Sequence, residues 1–532
     1  MEPEKRNRTM RLLKHALAGA VLAATTALTA PAMAQDKLSL VVNVVQIFGT
    51  VDPAKITDYT EYMAAVNLYD GLTTVSSGGE VVPQLAESWE VSDDNQTYTF
   101  KLKQDATFQD GSPVEAKDVV YTLQRLLSLN EGPAYLFSDL VDPENVKALD
   151  DHTVEIRINR VYAPFISITP LVLVVNSDVA KEQDGEWGED YLAENSLGAG
   201  PYNLSGWTRG AEMIMQRYEG YHAGWVKDRP IDELRFVVTR DEATVRALAQ
   251  RGELGLSSQY QSSETYKAIE ALDTYKLIEA STATGFYLKV NNQLPPTDDV
   301  HIRRAIAYAL DYATIREVIY PGGEMKSVLS SLFSEAHLDE LPSPEYSLEK
   351  AAEEVAKSKY AGDKPIKLGH AYVANTAFEE EIGLLFKSTL ETIGFEVDLQ
   401  PEPWNRITEL ATKVETTPNT AQVFYGPTYP SPDSVFFVQY HSRAAGTWSS
   451  MSWVNDPEVD AMIDKSRATV DEAARNAIYK DIQARLHENM AEIPLLTQLK
   501  RMAAHSCLQG YAEVPMQSWD YDFSRMWWSC EG

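Results

Sequence analysis

Cysteine is almost missing from this chain of 532 residues, which carries only Cys507 and Cys530, both close to the C-terminus. No His-Cys cluster accompanies them, which argues against a metal pair. In an oxidising compartment they read as one bridge tying down the tail. Histidine is scarce as well, nine in all, and shows no paired ligand spacing. His487-Glu488 has Ala491 where a His-Glu-x-x-His site needs its second ligand. The Gly-x-x-x-x-Gly-Lys-Ser/Thr loop is absent, which excludes an ATPase role for this chain. Positive charge is in deficit: 47 Lys and Arg against 78 Asp and Glu leave a net −31. Such a surface repels nucleic acid and anionic lipid headgroups. Beyond the N-terminus no apolar run reaches about 18 residues, so no membrane-crossing helix is predicted.

What is present starts with an export signal. Arg11 and Lys14 supply a positive n-region, Ala16 to Ala30 the apolar core, and Ala32-Met33-Ala34 a small-residue cleavage site before Gln35. Gln35 and not Cys follows the site, so no lipid anchor is indicated. The expected product is a soluble protein exported to a bacterial periplasm, with cleavage after Ala34. The remaining chain exceeds what one hydrophobic core holds, which predicts two or three lobes. The full chain is 44% hydrophobic, ample material to fill them.

The stretch from Val81 to Leu127 is the most informative. Trp89 and Val91 lead into an Asp93-Asp94-Asn95 turn. Tyr98, Phe100 and Leu102 then alternate with Thr97, Thr99, Lys101 and Lys103, the period of a half-buried strand. After the Asp110-Gly111-Ser112-Pro113 turn, Val119, Val120, Leu123, Leu126 and Leu127 form the apolar face of a helix. The block resembles the signature of the family 5 extracellular solute-binding proteins, the dipeptide and oligopeptide receptors of ABC importers. Pro83, Leu85, Ala86, Trp89, Asp94, Tyr98, Phe100, Leu102, Phe108, Asp110, Gly111, Pro113, Ala116, Asp118 and Val119 carry the likeness. Glu115 departs from it, standing where the family places a Ser or Thr helix cap.

The likeness continues along most of the chain. Gly198-Ala199-Gly200-Pro201-Tyr202 resembles the family's Gly-Thr-Gly-Pro-Tyr segment, with Ala199 for Thr. Pro295-Pro296 breaks the chain ahead of a predicted helix from Val300 to Leu310, and Asp311 is placed to cap the next one, which runs to Tyr320. Asp456 and Asp471 open two helices near the C-terminus. The resemblance implies an α/β fold: a two-lobed periplasmic binding protein (type II, cluster C-like) with mixed sheets and a ligand cleft between the lobes. Residues 35–289 with 499–532 would form one lobe and 290–498 the other, with crossings near Lys289 to Gln293 and Leu496 to Arg501.

Ser347-Leu348-Glu349-Lys350 matches the Ser-x-x-Lys of periplasmic acylases, but no Lys-Thr-Gly follows, and Ser347 suits the N-cap of a helix from Leu348 to Lys357. Nothing singles out a carboxylate pair for glycoside hydrolysis. Aromatic clusters at strand ends carry more weight: Pro401-Glu402-Pro403-Trp404, then Val423 to Asp433, then Gly446-Thr447-Trp448. Each ring there reads either as cleft wall stacking on a ligand or as packing under a surface loop.

By resemblance, Trp404 and Tyr425 fall on pocket positions. Phe48 falls on a first-strand segment whose backbone pairs with extended peptides. Thr428, with Tyr429 keeping the register, replaces the Asp that holds a peptide's α-ammonium, and Ala411 replaces an Arg that holds its carboxylate. Trp448 joins Trp404 and Tyr425 as a stacking ring. The implied function is that of a periplasmic substrate-binding protein of an ABC importer, for a peptide or peptide-like solute. An oligosaccharide, opine-like or other small organic solute is the alternative. The implied partners are that ligand and an inner-membrane permease with a separate ATPase; the protein would be a monomer, not an enzyme, with no cofactor.

Overall fold

The computed structural model describes residues 37–530, apart from residues 47, 186 and 226–228, and every element below belongs to the body Leu38–Gly532. The expected export signal and its cleavage site lie outside the described residues.

The signature stretch folds as its alternation demands. Strands Ala86–Val91 and Thr97–Leu102 pair antiparallel, and Tyr98, Phe100 and Leu102 all point into the core. Between them Asn95 takes φ +55°, a left-handed conformation that Asn tolerates well. Thr153–Arg157 and Val146–Asp150 complete a four-stranded antiparallel sheet. Helix Ala116–Leu129 follows, with Glu115 at its N-cap position. Asp118 does the capping from within the helix, accepting the Glu115 N–H at 2.9 Å and the Ser177 N–H at 3.1 Å. A cap from this side explains how the motif survives without Ser or Thr at its start.

The larger sheet is mixed and has eleven strands. Its order runs Phe395–Glu402, Ile366–Val373, Thr420–Tyr425, Tyr275–Val290, Ile493–His505, Leu254–Leu256, Ser39–Val44, Glu233–Val238, Glu212–Arg217, Tyr202–Thr208, with Gly322–Gly323 also on Ile493–His505. Phe395–Glu402 pairs parallel with Ile366–Val373 at one end, and Ser39–Val44 parallel with Glu233–Val238 further along, while the other end closes on the antiparallel strands Glu233–Val238, Glu212–Arg217 and Tyr202–Thr208. The middle pair, Tyr275–Val290 and Ile493–His505, is long and antiparallel. Their ladder breaks between Ser281 and Gly285. At Gly285 a Cβ would come within 2.5 Å of the Tyr287 ring, so only glycine fits that bend.

Two large apolar clusters lie on either side. One contains Val42, Phe100, Val119, Ile156 and Phe236, and the other Phe286, Ile302, Leu368, Phe386 and Leu495. Helices Pro432–Tyr440, Pro457–Ala468 and Glu472–Glu488 follow the second lobe's strands in sequence, yet Phe436, Ile463 and Tyr479 belong to the first cluster. Local caps agree with the sequence. Asp311, Ser347, Asp456 and Asp471 each accept a backbone N–H at the start of their helices. Cys507 and Cys530 form a disulfide, and beside it Leu508–Gln509 pairs with Trp527–Trp528.

Candidate ligand-binding cleft

Between the lobes lies a cleft of about 1360 Å³, open solvent included. Its first wall consists of chain leaving strand ends: Val45 and Gln46 after Ser39–Val44, Gln259 to Gln261 after Leu254–Leu256, and the tail segment Glu513 to Tyr521. The second wall is built in the same way from Asn375 to Ala377, Trp404, Phe424, Gly426, Pro427 and Trp448. Ala283 and Thr284, at the break in the long strands, form the back. Strand ends are where an open sheet leaves its side chains and backbone groups free for a ligand.

Three hydrogen-bonded links already span the walls. Trp404 opens helix Trp404–Leu410, and its indole N–H donates to Asp58 Oδ2 at 2.9 Å. Asp58 is itself fixed as the N-cap of helix Tyr59–Leu68, where its Oδ1 accepts the Thr60 N–H at 2.9 Å. Arg240 donates to the Val45 carbonyl at 2.8 Å and to the Ala374 carbonyl at 3.0 Å. The Gln517 N–H donates to the Pro427 carbonyl at 2.8 Å. Rings meet as well: Tyr59 and Tyr260 are 5.7 Å apart edge to face, and Tyr260 and Phe424 are 5.7 Å apart.

Of the rings expected at the site, Trp404 and Trp448 line the cleft and meet edge to face at 5.3 Å. Tyr425 lies behind Trp448 at 5.9 Å, fully buried, its hydroxyl donating to the Ser434 carbonyl at 2.7 Å. Thr428 is half-buried and hangs its N–H on Ser434 Oγ at 2.7 Å. Tyr429 is fully buried and donates to Asp433 Oδ2 at 2.7 Å, beside Tyr162, which donates to the same oxygen. Phe48 lies beyond the end of the first strand and packs edge-on against Phe236 at 5.6 Å. Thus Tyr425, Thr428, Tyr429 and Phe48 stand behind the lining rather than in it. Ala411 is also buried, at the end of the helix that Trp404 begins.

Sequence reasoning missed most of the first wall. Tyr59, Gln259, Tyr260, Gln261 and the tail come together only through the order of the strands. Their one local signal was the helix start at Asp58.

The lining is acidic. Asp58, Glu242, Glu379, Glu513 and Asp520 face Arg240 and Lys500. Lys500 is buried between Asp520, at 2.8 Å, and Glu513, at 2.9 Å. Burial works against its ammonium, yet those two carboxylates hold its pKa above the ordinary lysine range. Burial lifts the carboxyl of Asp58 above its usual range and that of Glu379 to about 8. Among the described residues no three His, Cys, Asp or Glu side chains are grouped to hold a metal ion.

The model of the bacterial extracellular solute-binding proteins, family 5, matches residues 80–447. The chain belongs to that family. Among the curated proteins similar to this family 5 member is the probable D,D-dipeptide-binding periplasmic protein DdpA of Escherichia coli K12. The two are 24% identical over 487 residues, covering 90% of this chain and 92% of that one. The solved structure of DppA from Helicobacter pylori, in complex with the peptide STSA, superposes with a TM-score of 0.84 at 20% identity. It covers 93% of this chain and 99% of its own. AgaA from A. tumefaciens R10, in complex with agropinic acid, superposes with a TM-score of 0.80 at 22% identity. It too covers 93% of this chain and 99% of its own. These likenesses establish for the family 5 member the two-lobed α/β architecture with its cleft. Among its described residues no helix is long and apolar enough to cross a membrane.

Proposed function

We propose that this chain is the periplasmic receptor of an ABC importer, that it captures a peptide or peptide-like solute, and that it delivers the solute unaltered to an inner-membrane permease served by a separate ATPase. The observation that carries the reading is the cleft, walled from both lobes and spanned by the Trp404–Asp58 and Arg240–Ala374 hydrogen bonds. A ligand in that space is desolvated by both walls at once, so it binds the closed form more tightly than the open one. That differential affinity is what shifts the population and signals occupancy to the permease.

The ladder break at Ser281–Gly285 supports a bend there. The proposed lobes are 35–289 with 499–532 and 290–498, the helices Pro432–Tyr440, Pro457–Ala468 and Glu472–Glu488 of the second packing back onto the apolar cluster of the first. Trp404 and Trp448 are proposed as ligand-stacking rings, with Phe48, Tyr425, Thr428 and Tyr429 supporting them from behind. The export signal of residues 1–34 and a monomeric state complete the reading.

Thr428 and Ala411, where family peptide receptors place an Asp and some of them an Arg, favour a second reading: the same receptor for an oligosaccharide, opine-like or other small organic solute. AgaA, so similar in fold, is solved with agropinic acid. Calorimetry with di- to pentapeptides and with opines separates the two. Micromolar or tighter binding is expected for one class; no binding by either, with no solute co-purifying, would end the receptor reading.

A further inference from the structure

Three side chains of the first wall are nine-tenths buried and each has an acceptor oxygen without a partner among the described residues. They are Gln259 Oε1, Gln261 Oε1 and Asp520 Oδ1, with residue exposures of 7%, 3% and 3%. All three residues border the cleft, and in this closed form their unpaired oxygens are shut off from water, so a ligand reaches them as the side chains turn toward it. A buried acceptor left unpaired is costly, so three in one cavity mark what the cavity is built to receive.

The orientation of Gln261 is dictated by the backbone. Asn43 Oδ1 accepts the Ser258 N–H at 3.2 Å, and Asn43 Nδ2 donates to the Thr239 carbonyl at 3.0 Å. A backbone N–H can only donate and a carbonyl only accept, so the Asn43 amide has one permitted orientation. Gln261 Nε2 donates to that same Asn43 oxygen at 3.0 Å, which leaves the Gln261 oxygen unused. On the opposite wall Gln422 repeats the pattern. Its Nε2 donates to the Glu379 carbonyl at 2.9 Å and its Oε1 has no partner among the described residues.

Asp520 is committed on one side only. Its Oδ2 accepts from Lys500 at 2.8 Å and from the Tyr511 hydroxyl at 2.6 Å, while Oδ1 is unused. Lys500 is shared with Glu513, so this corner holds two carboxylates against one ammonium. Arg240 is spent on two backbone carbonyls.

Acceptors in excess and negative charge in excess select the same partner. We infer that the ligand presents a cationic, hydrogen-bond-donating head, an amine or guanidine, to Gln259, Gln261 and Asp520 on the first wall, with Gln422 opposite. An ammonium brings three donors, one for each unpaired oxygen of the first wall, and a guanidinium five, enough to reach Gln422 as well. A carboxylate or a carbonyl edge in the same place would meet the unpaired oxygens of Gln261 and Asp520, with the one ammonium there, Lys500, already held by two carboxylates. The inference rests on the receptor reading above and narrows its ligand.

The test uses the full exported protein with its disulfide intact. Titration calorimetry would compare tri-alanine, N-acetyl-tri-alanine, tri-alanine amide, arginine, succinate and maltotriose. In parallel, mass spectrometry would weigh any solute released on denaturation. The expected result is binding of free-amine probes with at least a hundredfold loss on N-acetylation, no loss on C-amidation, and a co-purified solute bearing a basic nitrogen.

Equal binding of the acetylated and free peptides would overturn the inference and leave the receptor reading standing. Binding of succinate or maltotriose alone, or a solute without basic nitrogen, would overturn the inference and the peptide reading together. No binding by any probe and no solute would overturn the inference along with the receptor reading. Asp520→Asn and Gln259→Met, checked for unchanged melting, should each weaken the free-amine probe tenfold or more. They should also collapse its preference over the acetylated form, which a merely structural role would not do. Unchanged discrimination in both variants would sink the assignment of these residues.

Discussion

The indole of Trp404 donates its N–H to the carboxylate of Asp58 at 2.9 Å, so a ring of the second wall is tied to the helix start of the first. The bond exists only while the lobes are together. Asp58 also caps its helix, which makes its replacement ambiguous, whereas Trp404→Phe keeps an aromatic ring and removes the donor alone. A hydrogen bond to a charged acceptor contributes about 1.5–3 kcal/mol. Trp404→Phe should therefore move the ligand-free equilibrium at least tenfold toward the open form. Small-angle scattering would show a larger radius of gyration for the variant; an unchanged radius would mean that this bond does not govern closure.

Arg125 and Asp52 form a two-pronged ion pair, both contacts at 2.6 Å, with side-chain exposures of 1% and 0%. Arg125 Nε also reaches the Trp187 carbonyl at 2.6 Å, so one guanidinium stitches three segments. Removing one partner strands the other charge in the core, at a cost of about 3–5 kcal/mol. Arg125→Met should lower the urea midpoint accordingly. Adding Asp52→Asn should recover part of the loss, because the orphaned charge is then gone. A single variant as stable as the parent would show that Asp52 finds water.

Local structure was legible in this sequence because its signals are local. The alternation at Tyr98, Phe100 and Leu102 and the caps at Asp311, Ser347 and Asp471 each depend on neighbours within a few residues. The cleft was legible only in part. Strand Thr420–Tyr425 is buried on both faces, so it carries no alternation from which to learn that Phe424 borders the cleft while Tyr425 lies behind Trp448. Phe48, Tyr425 and Tyr429 resemble pocket residues by position, but their contacts belong to the core. Gln259, Gln261 and Asp520 look ordinary in sequence. Their unpaired oxygens emerge only once segments hundreds of residues apart are folded together.

The disulfide between Cys507 and Cys530 closes a loop with a sequence separation of 23 that contains the tail wall of the cleft, Glu513 to Tyr521. Closing a loop of that length removes about 3 kcal/mol of freedom from the unfolded chain. Cys507→Ser with Cys530→Ser should lower stability by roughly that amount. It should also weaken ligand binding, since the Gln517–Pro427 backbone bond hangs from the freed loop. Equal melting with and without reductant would contradict this.

Glu379 lines the second wall, is 5% exposed, and accepts the Val373 N–H at 2.7 Å. Burial pushes its carboxyl from the ordinary 4.5 to about 8, with the Val373 bond and Arg240 only partly opposing the shift. Between those two values the folded chain keeps a proton that the unfolded chain has lost. The contribution to stability is therefore full below pH about 4.5 and falls as pH rises toward about 8, by at most about 1.4 kcal/mol per pH unit. Glu379→Gln retains an oxygen for the Val373 N–H and cannot ionise. Its melting temperature should match the parent near pH 4.5 and exceed it increasingly up to about pH 8, where the gap levels off. Taking the difference between the two proteins removes other titrating groups such as Glu61, raised to about 7 by burial and by the Asp58 charge. A gap that stays constant with pH, or one that widens toward acid, would show that Glu379 is ionised in the folded protein.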